Sequence, residues 1–296
     1  MKQITVFTPS YNRAYILPKC YEALKRQTCQ DFVWLIIDDG SSDNTRKLVE
    51  QWQKEGILEI EYIYQENKGM HGAHNTGHIN CKTELCIGCD SDDYLFDDCI
   101  EIVLNKWNSR SMDVDYSGVI GMCHDDDGKP LAQIPEEIDE TTLYDLRYKY
   151  KIKGDFKFAL RTDLLNQYEY PMIPGERYIA VGYIYFLIDQ GHKLLVYHGP
   201  LCCQNYLADG EVTNKTKRYV TAPKGYMIYR NAMIPIMHNF KEKWWQATHY
   251  VSSAIFAKDK NFLREAAEKL PVIAAIPSGI LLNLFIRYKY NKKFKI

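Results

Sequence analysis

Net charge is almost absent from this sequence: 37 Lys/Arg stand against 38 Asp/Glu in 296 residues, a formal charge of −1. A chain so balanced has no bulk attraction for nucleic acid, and none is expected as a partner. Internal repeats and low-complexity linkers are also missing, which excludes solenoids and leaves one large domain or two. The start of the chain enters a β-like segment without the apolar stretch and small-residue cleavage site of a signal peptide, so a cytoplasmic protein is expected. Disulfide staples are not expected either. The nine cysteines are odd in number and several lie inside apolar runs (Cys86, Cys123, Cys202, Cys203), the pattern of reduced, buried thiols. Cys86-x-x-Cys89, with Cys81 and Cys99 nearby, is the one competing zinc reading. In a strand those two side chains would point to opposite faces.

Glycine is missing from one decisive place. Ile4–Thr8 is a β-branched run stopped by Pro9, and helical spacing follows from Tyr15 to Gln27. The loop between them, Thr8-Pro9-Ser10-Tyr11-Asn12-Arg13, has no glycine, which excludes the dinucleotide-binding and methyl-donor fingerprints. It offers instead an aromatic face, an amide and a guanidinium, groups that stack on a base and bind phosphate.

What the chain has in quantity is apolar runs of strand length that end in polar groups. Phe32–Ile37 runs into Asp38-Asp39-Gly40-Ser41-Ser42-Asp43 ahead of a helix over Thr45–Lys54. Glu59–Tyr64 alternates like a third strand and leads to a loop and short helix carrying Lys68, His71, His74 and Asn75. Leu85–Cys89 ends in Asp90-Ser91-Asp92-Asp93, three carboxylates in four residues. Like charges so close repel unless a cation or ordered donors neutralise them, and Mg²⁺ or Mn²⁺ with the oxygens of a diphosphate would do so. An acidic turn capping a helix near Asp97 is the alternative use of the same residues. Strands alternating with helices predict an open α/β sheet whose crevice, lined by Pro9, Asp39 and Asp92, lies beyond the strands' carboxyl ends. The second half is less periodic. It predicts a helix over Asp97–Trp107, strands over Ser117–Cys123 and Lys193–Tyr197, an exposed turn at His124–Pro130 whose three carboxylates have a second metal site as the alternative reading, and a charged helix pair or loop over Glu136–Tyr150.

Four of these segments, in this order and spacing, resemble the family 2 glycosyltransferases: Thr8–Arg13, Ile36–Thr45, Asn67-Lys68-Gly69 with Asn75-Thr76-Gly77, and Asp90–Asp93. Looser similarity runs through Lys153-Gly154-Asp155 and Arg161-Thr162-Asp163 to Tyr206–Gly210. The resemblance implies the GT-A fold, an open and mostly parallel sheet flanked by helices, over residues 1–222, with a mostly helical C-terminal region over 223–296. It implies a UDP-sugar donor bound by Thr8, Pro9, Tyr11, Arg13, Asp39, Lys68, His71, Asn75, Asp90 and Ser91, with Asp92 and Asp90 holding Mn²⁺ or Mg²⁺. The implied reaction is inverting transfer to a growing surface polysaccharide or lipid-linked saccharide. Related polysaccharide transferases carry an acidic residue where this chain has Val181, after Glu176-Arg177-Tyr178-Ile179. Glu176 is therefore the first candidate for the general base and Asp155 its rival. A nucleotide-binding subunit that has lost chemistry and partners an active transferase is the second reading.

Charge is uneven along the chain. Residues 238–296 hold 11 Lys/Arg against 4 Asp/Glu, and the remainder holds 26 against 34. Seventeen uncharged residues, 270–286, contain Pro271, Pro277, Gly279 and Asn283 and are marginal for spanning a bilayer of roughly 30 Å. With Trp244 and Trp245 before them and Lys289, Lys292, Lys293 and Lys295 after, they predict an interfacial segment on an anionic membrane surface, the protein being peripheral on its cytoplasmic face. A helical cap packed on the transferase domain is the alternative.

Overall fold

The computed structural model of the chain describes residues 2–204 and 215–294. The family-like segment Tyr206–Gly210 and the basic residue Lys295 lie outside the described residues. The first compact unit contains residues up to Glu169 and those from Leu187 through the last strand. Its frame is β1 (Ile4–Ser10), α1 (Leu17–Lys25), β2 (Phe32–Asp38), α2 (Thr45–Glu55), β3 (Ile60–Tyr64), α3 (Gly69–Asn80) and β4 (Leu85–Gly88). Then come β5 (Tyr94–Leu95), α4 (Cys99–Asn108), β6 (Tyr116–His124), β7 (Glu140–Thr141), a π-helical turn over Asp145–Lys149, β8 (Phe156–Arg161), α5 (Thr162–Leu165) and, after α6 (Gly182–Ile188), most of which belongs to the second unit, β9 (Lys193–Cys203).

The strands form one mixed sheet in the order β3-β2-β1-β4-β8-β6-β9-β5, with β7 on β9. The first four are mutually parallel, while β8 is antiparallel to both its neighbours. From β1 the chain moves outward to β2 and β3, then returns to lay β4 on β1's other side. The order reverses between β1 and β4, and ligands of such sheets bind beyond the carboxyl ends at that switch point. Every residue of β2 is buried, as a parallel strand covered on both faces requires. On one face Tyr21 of α1 and Trp52 of α2 stack at 4.3 Å, and Trp52 lies 5.6 Å from Trp34 of β2. On β1, α3 rests so closely that a Cβ at Gly77 would stand 2.3 Å from the Phe7 ring.

Two sequence expectations change here. The charged stretch over Glu136–Tyr150 is neither a helix pair nor a plain loop, since it contains β7 and the π-helical turn. β9 does not stop at Tyr197 but continues to Cys203 and pairs with β6, β5 and β7. All nine cysteines are free thiols. Cys86 faces Cys81, with sulfurs 3.1 Å apart, whereas Cys89 faces Cys20. The two ends of the C-x-x-C spacing thus serve different neighbours, and no cluster of three metal-ligating side chains occurs among the described residues.

The second unit contains Tyr170–Phe186 and the chain from α7 onward. Its helices are α7 (Lys215–Thr221), α8 (Pro223–Ile236), α9 (Phe240–Ala257), α10 (Phe262–Glu265), α11 (Lys269–Ala274) and α12 (Ile276–Phe294). Met227, Ile234, Ala247, Tyr250, Val251, Ala254, Val272 and Ala275 make its core. A single cut between 222 and 223 does not describe this division. Residues 170–186 belong to the helical unit because Glu176 accepts from the backbone N–H groups of Lys224 and Gly225, and Tyr178 packs on Tyr226 at 5.5 Å.

Candidate active site

The carboxyl ends of β2, β1 and β4 are bound together by the backbone. Asp39 N–H donates to Ser10 O at 2.8 Å, and Cys89 N–H donates to Phe7 O at 2.8 Å. The loops beyond them are tied by Asn12, which sits in the left-handed region at φ 53°, a conformation Asn tolerates. Its N–H donates to Ser41 Oγ and its Oδ1 accepts from Ser42 N–H, both at 2.8 Å. Tyr11 is left 49% exposed on this loop, and Arg13 lies over the Tyr15 ring.

Asp39 is buried and joins two loops to a helix. Its Oδ1 accepts from Gln65 Nε2 at 2.7 Å and Lys68 N–H at 2.8 Å, and its Oδ2 accepts from Gly69 N–H at 2.8 Å. A carboxylate in that position satisfies the first amides of α3 and suits the positive end of its dipole. Two oxygens carry about four acceptor sites, so one remains for a ligand. The side chain of Lys68, at the N-cap of α3, is exposed. Beside these, Ser10 Oγ and Asn67 Oδ1 are buried without a hydrogen-bond partner. A buried polar atom left unpaired is costly, and each of these oxygens lacks a protein partner that would offset the cost. Neither residue was assigned a role from the sequence. The available signal was position alone, a polar residue at a strand's carboxyl end.

The acidic turn follows β4. Asp93 N–H donates to Asp90 O at 3.0 Å, closing Asp90-Ser91-Asp92-Asp93 into a tight turn. Asp90 and Asp92 are half-buried, while Ser91 and Asp93 are buried. Behind the turn, Lys157 of β8 is buried. Its Nζ donates to Gly88 O at 2.9 Å and lies 3.5 Å from Asp93 Oδ2. Burial works against this ammonium, but Cys202 and Asp93 more than offset it and hold its pKa above the usual range. Burial raises the carboxyl pKa of Asp90, an effect that Lys157 opposes and Asp155 reinforces, so Asp155 stands within the field of the turn. The turn is thus a metal-ligand candidate on one side and, on the other, a buried contact between Lys157 and Asp93, whose carboxyl burial pushes well above the usual carboxylate range. Two carboxylates are too few to enclose a cation, but they fit Mg²⁺ or Mn²⁺ that takes its remaining ligands from a diphosphate and water.

Several expected site residues lie elsewhere. Thr8 is fully buried, and its hydroxyl accepts the indole N–H of Trp34 at 2.9 Å, so its side chain braces the sheet. Asn75, two turns into α3, donates to Glu169 at 3.3 Å. His71 is 2% exposed, in a buried row with His74 and His78 against β1, where Phe7 meets His74 edge-on at 5.0 Å. Glu176 is in the helical unit. Its two oxygens take the N–H groups of Lys224 at 3.0 Å and Gly225 at 2.8 Å, so it caps α8. Nearby, Val181 O accepts from Tyr170 O–H at 2.7 Å.

Residues 5–168, more than half of the chain, match the family described as Glycosyl transferase family 2. The chain belongs to that family. TuaG of Bacillus subtilis, named for teichuronic acid biosynthesis, is 25% identical over 254 residues, 85% of this chain and 96% of that protein. Chondroitin synthase of Escherichia coli is 31% identical over 104 residues, 35% of this chain and only 15% of the synthase, so this chain spans a small part of that relative. Among solved structures, S. aureus TarS 1–349 in complex with UDP-GlcNAc has a TM-score of 0.66 at 14% identity, covering 98% of this chain and 92% of that one. The mannosyltransferase PcManGT from Pyrobaculum calidifontis, in complex with GDP-Man and Mn²⁺, has a TM-score of 0.57 at 16% identity, with 97% and 82% covered. The fold is therefore GT-A, a mostly parallel sheet flanked by helices with a helical C-terminal region.

Proposed function

We propose that this family member is a metal-dependent, inverting glycosyltransferase that moves a sugar from a UDP-sugar to a growing surface polysaccharide or lipid-linked saccharide. The observation that carries the reading is that Asp39 and the Asp90–Asp93 turn stand on loops either side of the β1 loop, at the carboxyl edge of the sheet. Tyr11 stacks on the base and the open acceptor site of Asp39 takes its ring N–H, with Pro9 shaping the pocket. Arg13 and Lys68 neutralise phosphate charge, and Ser10 and Asn67 offer their unpaired oxygens to the nucleoside. Asp92 and Asp90 would hold Mn²⁺ or Mg²⁺, which when bound offsets charge on the departing diphosphate. The acceptor hydroxyl attacks the anomeric carbon from the face opposite the diphosphate. The new C–O bond forms as the old one to phosphate breaks, and the proton passes to a carboxylate. With Glu176 committed to α8, Asp155 is the better base. The names of the relatives support a polysaccharide acceptor, and nine free cysteines support a reducing, cytoplasmic setting.

A silent nucleotide-binding subunit is the second reading, favoured by the aliphatic Val181 and the occupied Glu176 carboxylate. Both readings require UDP binding. Thermal-shift titration of the full chain with UDP and Mn²⁺ should raise its melting temperature, since a ligand of the native state alone stabilises it. Turnover with a panel of UDP-sugars then separates the enzyme from the silent subunit, and a chain indifferent to UDP would remove both.

A further inference from the structure

The last helix is built the wrong way round for a surface facing water. Towards α9, α12 presents small and polar residues. A Cβ at Gly279 would stand 2.5 Å from Val251 Cγ1, Ser278 Oγ lies 2.8 Å from Thr248 Oγ1, and Asn283 Nδ2 donates to Ser252 O at 3.1 Å. This close contact through small residues is the kind helices make where water does not drive their packing. The opposite face carries the bulk. Ile280, Leu281, Leu284, Phe285 and Tyr288 are 45–67% exposed, and at 100° per residue they share one stripe. Leu270 and Ile273 of α11 are exposed as well. From Lys269 to the end the sequence has six Lys/Arg and no Asp/Glu. The Lys289 ammonium sits 4.8 Å over the Phe285 ring, so positive charge borders the stripe directly. No helix among the described residues is long and apolar enough to cross a membrane.

We propose that α11 and α12 seat the protein on an anionic lipid surface, lying in the plane of the interface with the stripe among the acyl chains and the lysines on the phosphates. An exposed apolar stripe with a cationic border is what such a surface takes. A second copy of the chain would cover the apolar stripe but has no acidic residue on its own α11–α12 to meet the lysines. Trp244, one of the residues expected to anchor this region, packs against the helical core instead. The anchor is therefore the outward stripe. The inference stands apart from the chemistry proposed above, and a chain that never turns over could still bind lipid.

The test is sedimentation of the full chain with vesicles of phosphatidylcholine alone or mixed with phosphatidylglycerol, at low and high salt. Binding to the anionic vesicles is expected, weakened by salt because surface attraction is screened over about 10 Å at 0.1 M. Replacing Leu281, Leu284 and Phe285 by Ser should weaken binding about tenfold or more, by the apolar area lost. Replacing Lys289, Lys292 and Lys293 by Gln should cost about fivefold per charge and weaken the salt dependence. Both variants should melt like the parent, since the residues are exposed. A chain that stays in the supernatant with anionic vesicles overturns the proposal. So does a fall in melting temperature of the Ser variant, which would make the stripe core packing, or a dimer that the Ser variant dissolves, which would make it a contact between copies.

Discussion

Asp39 has about four acceptor sites and the protein fills three of them, so one carboxylate both starts α3 and keeps an open place for a ligand. The role proposed for Asp92, after β4, is different in kind, because it rests on the charge that a hard cation needs. Asp92→Asn keeps the shape and should lower Mn²⁺-dependent UDP affinity about tenfold or more, with the metal-free melting temperature little changed. Calorimetric titration showing parental affinity would remove the metal assignment. Asp155→Asn should lower turnover by about 10² while donor binding holds, the scale of general-base catalysis. Glu176→Gln turns an amide N–H₂ towards backbone donors, and should cost the helical unit about 0.5–2 kcal/mol in urea unfolding, as lost caps do. Its effect on turnover should be small beside that of Asp155→Asn, and the reverse ranking would return the base to Glu176. Charge and spacing singled out Asp39 and the Asp90–Asp93 turn in the sequence, and the fold sets them after β2 and β4. The partners of Thr8, Asn75 and Glu176 were not legible, because residue type does not say which way a side chain points. Thr8 turns to Trp34, Asn75 to Glu169, and Glu176 to a helix 47 residues further on that local spacing cannot see.

β8 matters to the site through one side chain, Lys157, whose ammonium is buried beneath the acidic turn. Removing one member of such a pair strands the other charge, which typically costs 3–5 kcal/mol. Burial pushes the Asp93 carboxyl well above the usual carboxylate range, so it can take up a proton when Lys157 is lost; Lys157→Met should therefore lose less than that in urea unfolding, and Lys157→Met with Asp93→Leu should recover most of it. A single variant as stable as the parent would mean that Asp93 is already neutral. The parallel strands β1, β2 and β4 were readable because each is an apolar run stopped by polar residues. β9 was readable only to Tyr197, where Gly199 and Pro200 look like a stop. The strand continues because its pairing with β6 shifts register between Ile120 and Met122 and again before Cys123, and a proline is tolerated at such irregularities. The helical segments at the C-terminus were readable as apolar and basic. Which face met water was not, since α12 is apolar on its outward side and small on its inward one.

Three histidines set how the molecule responds to acid. Burial lowers the pKa of His74 to about 4, of His78 to about 3 and of His249 to about 3, against about 6.5 in the unfolded chain. Below that value the unfolded chain binds protons that the folded one refuses. Their contribution is fully present above pH 6.5 and is lost as pH falls towards the folded values. Each histidine should make stability fall by about 1.4 kcal/mol per pH unit over this window, two acting in the α/β unit and one in the helical unit. Urea midpoints flat between pH 6.5 and 5 would show that these rings accept protons where they lie. The strand order sets a different schedule, that of synthesis. β1 is made first yet lies inside the sheet, paired on one side with residues 32–38 and on the other with residues 85–88. β4 waits in turn for β8, and β6 for β9, which ends at Cys203. A growing chain thus carries unpaired, apolar strand edges until about two thirds of it has left the ribosome, and for that interval it offers template edges to other chains.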